Sequence, residues 1–271
     1  MRRTLAVTTL LLLIFTAVAN AHDLFLKPVR YFVTENADVL VRVLNGTFSK
    51  SENSIARPRV RDISVVSPAG RARLDTARWS TAGDTSTFSV HTGASGTYLL
   101  GASTNPNVIA LKAKDFNEYL RTDGVPDVLS ARRRDKQLQR PARERYSKHV
   151  KALIQVGSSR SDHFSTVLGY PAEIVPLENP YTLSAGGTLH VRTVVDGRAV
   201  ASQYVLYGGR TPSGQRLEAR GVRTNAEGVA TIPLRQRGTW YVKFISMRPP
   251  LMPSDTVDYE SRWATLTFQL R

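Results

Sequence analysis

The sequence predicts a mainly β protein. We expect two Ig-like or transthyretin-like β-sandwich units, at residues 22–111 and 170–271, joined by a basic helical linker or insertion at 112–169. Both end segments contain short runs of alternating apolar residues separated by turn-forming sequences, which is typical of all-β sandwiches. The middle segment instead repeats its apolar residues at the spacing of a helix.

Residues 1–21 have the pattern of a cleavable signal peptide. Arg2 and Arg3 precede an apolar run at 5–18 that is too short to span a bilayer as a free helix. The small residues Ala19 and Ala21 then form a signal-peptidase site. We therefore expect an exported protein that is soluble in the periplasm after cleavage and begins at His22.

The first sandwich unit is predicted from four apolar runs and the turns between them. Asn-Gly, Ser-Pro-Ala-Gly and Gly-Ala-Ser-Gly sequences separate these runs, and such residues favour tight turns. The predicted strands are 39–44, 63–66, 87–90 and 97–100.

The middle segment is predicted to be helical in two places. Asp115 and Glu118 have the spacing of a capping box, and Gly124 is placed to end that helix. Farther on, the apolar residues of 146–154 recur at i, i+4, i+7 and i+8, which predicts a second helix.

The second sandwich unit is predicted from six apolar runs. A turn at 224–228 contains Asn225 and Gly228, which tolerate positive φ. The predicted strands are 173–177, 188–195, 203–207, 229–234, 240–245 and 265–270.

Composition excludes several classes of protein. The chain has no cysteine, which excludes disulfide scaffolds, lipoproteins and cysteine nucleophiles. It has no nucleophile elbow, phosphate-binding glycine loop or His-Glu-x-x-His sequence, so we expect no enzyme.

The net charge of +15 is concentrated at 130–151, where nine Lys and Arg stand against two acids. Only one aromatic residue is interleaved with them, so nucleic acid is not an expected partner. The segment is interpreted as a solvated helical face or as a contact with an anionic surface.

His22 is the strongest candidate metal ligand. Cleavage after Ala21 would leave a free amine and an imidazole on one residue, and together they can chelate a transition metal without a thiolate. The alternative is that His22 follows the cleavage site by chance. The adjacent Asp23 is a further candidate ligand.

Two other residues are weaker candidates. His149 is expected on the second helix, either as a hydrogen-bonded interface residue or as a ligand. Glu260 shares the parity of the core residues in the last strand. It is interpreted either as a partner of Arg262, where the strand leaves the sandwich, or as part of a polar pocket.

Three stretches resemble one known family: AHDLFLKP at 21–28, GYPAEIVPLENPY at 169–181 and DYESRWATLTF at 258–268. They are similar to the bacterial domain of unknown function 4198, whose relatives are described as periplasmic components of cobalt or nickel transport systems. The resemblance implies two β-sandwich units and a non-catalytic periplasmic role, and its histidine after the signal peptide corresponds to His22.

Together these features favour a periplasmic accessory protein that binds or takes up nickel, cobalt or copper. A transporter component or an envelope protein is then the expected partner. The alternative is a structural or interaction module of the cell envelope that binds a protein, glycan or lipid surface through its Ig-like faces.

Overall fold

The computed structural model describes residues 22–252 and 256–271. The predicted signal peptide at 1–21 lies outside the described residues. In the described part no helix is long and apolar enough to cross a membrane.

The chain is mainly β, as predicted, with two short helices between the strands of the first and second halves. The strands are β1 Asp23–Pro28, β2 Phe32–Val33, β3 Asp38–Gly46, β4 Ser51–Asn53, β5 Val60–Ser67, β6 Gly70–Arg73, β7 Ser80–Ala82, β8 Thr85–His91, β9 Gly96–Thr104, β10 Asn107–Leu111, β11 Ala142–Val156, β12 Ala172–Pro176, β13 Thr188–Val195, β14 Arg198–Ala199, β15 Tyr204–Arg210, β16 Arg216–Arg223, β17 Val229–Pro233, β18 Gly238–Arg248 and β19 Tyr259–Leu270. The helices are α1 Ala113–Thr122 and α2 Pro126–Arg134.

The strands form three sheets in the described part of the chain. The largest has ten strands in the order β16-β15-β18-β19-β11-β9-β5-β6, with β10 and β2 also paired to β11. A five-stranded sheet contains β1, β3, β4, β7 and β8, and a four-stranded sheet contains β12, β13, β14 and β17.

The two smaller sheets pack on opposite faces of the large sheet, because alternate residues of β5, β9 and β11 belong to two different apolar cores. One apolar core joins the five-stranded sheet to β5, β9 and β11 through residues such as Val41, Phe88 and Ile154. Another joins the four-stranded sheet to β15, β18 and β19 through residues such as Ile174 and Leu266. This layering is the arrangement of a β-sandwich.

The two halves of the large sheet meet where β11 and β19 pair in parallel, from Glu144 opposite Tyr259 to Ala152 opposite Thr267. The helices cover this junction, where Phe116 and Tyr119 pack against Tyr259 and Trp263. A third apolar core therefore lies between the helices and the large sheet, and it holds α1 against β19.

All ten predicted strands are confirmed, but the second predicted helix is wrong. Residues 146–154 lie in β11, a 15-residue strand that is buried almost throughout its second half. The capping box is also wrong, because α1 begins at Ala113 and its N-cap is Lys112, whose side chain makes no cap bond. Gly124 follows this helix as predicted, with φ of +83°.

The basic stretch at 130–151 is not one solvated helical face. It spans the end of α2 and most of β11, and three of its cations are buried: Arg132, Lys148 and Lys151. Buried cations need specific partners, so part of this positive charge is structural.

Candidate functional site

A cleft of about 430 Å³ opens where the first strand meets the second half of the chain. Its walls come from β1, the β3–β4 turn, the residues after α1, the β15–β16 hairpin and β18. The charged and titratable residues that line it are His22, Asp23, Glu52, Asp123, Arg210, Arg216, Tyr241 and Lys243.

His22 lies at one end of the cleft, directly before β1. Its Nδ1 is 3.2 Å from Oε2 of Glu52 in β4, and its side chain is only 16 % exposed. Burial lowers the pKa of His22, although the Glu52 carboxylate opposes this effect. The imidazole is therefore neutral at pH 7, which is the form that binds metals.

The backbone of His22 is also fixed. Its carbonyl oxygen accepts a hydrogen bond from the ammonium of Lys148, which donates a second bond of 2.9 Å to Oδ1 of Asn45. Burial lowers the pKa of Lys148 to about 8, and the carboxylate of Asp23 opposes this effect. One buried cation thus holds the start of β1 against β3 and β11.

A buried ion cluster lies beside His22. The ammonium of Lys243 is 2.5 Å from Oδ2 of Asp23 and 3.0 Å from Oδ1 of Asp123. Burial alone would lower the pKa of Lys243, but the two carboxylates outweigh burial and raise it. Burial raises the pKa of Asp23 to about 6, and its Oδ1 has no hydrogen-bond partner.

Aromatic rings form the floor of the cleft. Phe25, Phe48 and Tyr241 have centroids 5.0–5.3 Å apart, and the ring planes are tilted or edge-on to one another. This aromatic cluster gives the cleft a rigid apolar surface next to the buried ion cluster.

The structure brings His22 and Asp23 together but places Glu260 elsewhere. Glu260 lines a separate cleft and pairs with Arg145 at 3.1 Å. The expected pairing with Arg262 is wrong, because Arg262 contacts Asp196 instead. The strand does open toward solvent here, since Glu260 and Arg262 are only half-buried.

His149 also lies apart from the cleft, on a strand rather than on a helix. Its Nδ1 is 2.9 Å from the hydroxyl of Ser103 and its Nε2 is 2.9 Å from the hydroxyl of Ser147. Burial lowers its pKa to about 3, so the ring is neutral and both nitrogens are engaged.

The residues that could hold a metal are therefore His22 and Glu52. Within 22–252 and 256–271, no three side chains of His, Cys, Asp or Glu converge in a way that could hold an ion. A metal at this position would need a further donor from the protein or from a ligand. The unpaired Oδ1 of Asp23 is a buried acceptor in the same cleft.

The sequence interpretation missed Glu52, Asp123 and Lys243. Glu52 and Asp123 lie in polar stretches and carry no local signal. Lys243 did have one, because it interrupts the apolar run of β18 and is buried there with a charge that requires partners.

Fold and cleft together define the protein as a mainly β protein of sandwich layers with a charged cleft at the start of its first strand. The chain belongs to the family described as Domain of unknown function (DUF4198), which matches residues 19–248. The match contains the similar stretches at 21–28 and 169–181 but ends before 258–268. No curated protein matches the chain significantly.

Proposed function

We propose that this protein is a periplasmic, non-catalytic accessory component that binds a transition metal (nickel, cobalt or copper) for uptake. Its primary ligand is His22. The observation that carries the proposal is the contact between Nδ1 of the largely buried His22 imidazole and the carboxylate of Glu52, whose side chain is 38 % exposed.

The chemistry of the chelate supports this proposal. Signal-peptide cleavage before His22 would create an α-amine that closes a six-membered ring with Nδ1 around a metal, and Nδ1 is the nitrogen that faces Glu52. Metal–nitrogen and metal–oxygen bonds are about 2.0–2.2 Å long, so two such ligands at about 100° to each other lie about 3.2 Å apart. The distance from Nδ1 to Oε2 is 3.2 Å.

Two other histidine–carboxylate pairs show what sets His22 apart. His91 lies 3.0 Å from Asp38 and His190 lies 2.8 Å from Glu178, but these imidazoles are 62 % and 41 % exposed. Neither lines the cleft. The pair at His22 combines burial with a position next to the predicted cleavage site.

The test is metal binding by the processed protein. The full chain is exported into a bacterial periplasm, purified, and checked by mass spectrometry for a start at His22. Calorimetric titration with Ni(II), with Co(II) and with Cu(II) should show one site for at least one of these ions. His22→Ala and Glu52→Gln should each weaken binding by more than about tenfold, since even residues that merely orient a ligand contribute 10–100-fold.

Two matched controls separate the site from general histidine binding. His190→Ala and Glu178→Gln remove an equivalent pair on the surface and should leave the affinity within about twofold of wild type. Insertion of Gly-Ser-Gly-Ser between Ala21 and His22 moves the amine away from the imidazole and should weaken binding as much as His22→Ala does. Equal affinity in all variants would refute the chelate.

The same experiment decides between the two interpretations of the protein. If the processed chain binds none of the three metals, the interaction module of the cell envelope becomes the better proposal.

We also propose that the two layers are Ig-like or transthyretin-like units. In support, each smaller sheet forms its own apolar core against the large sheet.

A further inference from the structure

The cleft is much larger than a metal ion requires. A water molecule occupies about 30 Å³ of liquid, and pockets of about 300–1,000 Å³ are typical of small-molecule sites. The cleft of about 430 Å³ lies in that range. Its volume therefore suits an organic ligand that enters together with the metal.

The cleft has a positive end, formed by Arg210 and Arg216, whose charge no carboxylate of the described residues neutralises. Arg210 and Arg216 line the cleft, and neither forms an ion pair with any residue that the structure describes. Arg210 instead donates to the hydroxyl of Ser49 and to the carbonyl of Gly214. These bonds hold the guanidinium in place and leave its charge available.

A third cation strengthens this positive end. Lys27 donates a 3.0 Å hydrogen bond to the carbonyl of Phe48, and its ammonium lies 4.8 Å from the centre of the Phe48 ring. Burial lowers the pKa of Lys27, and Arg210 and Arg42 lower it further, which shows that these cations repel one another. An anion bound among them would relieve that repulsion.

We propose that the cleft takes its metal as a complex with a small carboxylate chelator, with the metal at His22 and Glu52 and a free carboxylate of the chelator at Arg210 and Arg216. This inference rests on the proposed function. Three protein donors leave at least one position open on a four-coordinate nickel or copper ion, and the chelator fills it. Guanidinium groups bind carboxylates through paired hydrogen bonds.

The test uses citrate as the chelator and Ni(II) as the metal. In equilibrium dialysis of the processed full chain against radiolabelled citrate, one citrate should be retained per protein when Ni(II) is present and much less when it is absent. Arg216→Gln should weaken this retention by about tenfold, because a hydrogen bond to a charged group is lost. The affinity for Ni(II) alone should not fall.

Arg220→Gln is the matched control. Arg220 lies on the same strand, is exposed like Arg216, and does not line the cleft. Its loss removes the same charge and should change citrate retention less than about twofold, as expected for an exposed charge.

Three results would overturn the inference: citrate that strips nickel from the protein, citrate retained equally without nickel, or equal retention by the Arg216→Gln and Arg220→Gln variants. None of these affects the titration with Ni(II) alone. Loss of that titration response in the wild-type protein would instead refute the proposed function itself.

Discussion

Breaking the buried ion pair between Lys151 and Glu173 at one partner should be among the most destabilising single substitutions in the described part of the chain. Lys151 lies on β11 of the large sheet and Glu173 on β12 of the four-stranded sheet, and their side chains are 2 % and 1 % exposed. The ammonium is 2.5 Å from Oε2 of the carboxylate. Removing one partner of such a pair costs about 3–5 kcal/mol, because the other charge stays buried without compensation.

The hydrogen bonds around the pair predict a cost near the lower limit of that range for one single variant and near the upper limit for the other. In Lys151→Met the Glu173 carboxylate keeps three backbone N–H donors, those of residues 168, 169 and 170, at 2.7–2.9 Å. Its cost should therefore be about 3 kcal/mol. In Glu173→Gln an amide group replaces an oxygen that accepts from both Lys151 and the N–H of Leu168. The N–H donors of the new side-chain amide then point at these two donors, and the loss in the free energy of unfolding should approach about 5 kcal/mol.

Urea unfolding at pH 7 measures both effects, provided that the slope of free energy against urea is unchanged. Thermal unfolding of Lys151→Met should occur roughly 6–12 °C lower than in wild type for a chain of this size. As a control, Arg121→Met breaks an exposed pair with Glu118, whose side chains are 64 % and 57 % exposed, and should leave the midpoint of urea unfolding close to that of wild type. A cost below about 1 kcal/mol for Lys151→Met, or a smaller cost for Glu173→Gln than for Lys151→Met, would refute the reasoning.

Three further predictions concern other buried polar groups. His149 has a pKa of about 3 in the fold and about 6.5 when unfolded, so acid protonates the unfolded chain first. The contribution of His149 to stability should therefore fall by about 2 kcal/mol from pH 7 to pH 5, and in urea unfolding the change between these two pH values should differ by that amount between wild type and His149→Gln. Arg132→Met leaves two backbone carbonyls after α2 without their hydrogen-bond donor and should lower the free energy of unfolding by about 2–4 kcal/mol. The control Arg133→Met, at an exposed residue, should change the free energy of unfolding by less than about 0.5 kcal/mol. Lys148→Met removes the anchor of the His22 carbonyl and should weaken calorimetric nickel binding about tenfold if the anchored backbone orients the chelate.

The strands that the sequence predicts share one physical property. β3 and β8 alternate between buried and exposed residues, as in Val39, Val41 and Val43, because one face is in the core and the other meets solvent. Alternation of this kind can be read from residue types alone. Strands β1 and β16 were missed, since β1 is short and mostly buried and β16 consists largely of exposed polar residues.

The helix predicted at 146–154 is wrong for the opposite reason, because this strand does not alternate between buried and exposed residues. Layers pack on both faces of β11, so its residues from Ser147 to Val156 are all buried and no alternation remains. Val150, Leu153 and Ile154 then fit a helical spacing by coincidence. A strand covered on both faces cannot be told from a buried helix by period, and the interspersed Lys148 and Lys151 made a charged helical face look plausible.

From the sequence, the cleft could be predicted only at His22 and the adjacent Asp23. Glu52, Asp123 and Lys243 come from β4, the end of α1 and β18, and only the pairing of distant strands brings them near the start of β1. No local sequence motif predicts that these distant residues lie together in the folded chain. His22 differs because the pattern that marks it describes processing of the chain and not its folding. It follows that moving the predicted cleavage site by a few residues should remove the proposed metal binding in calorimetric titration, while urea unfolding shows the same stability.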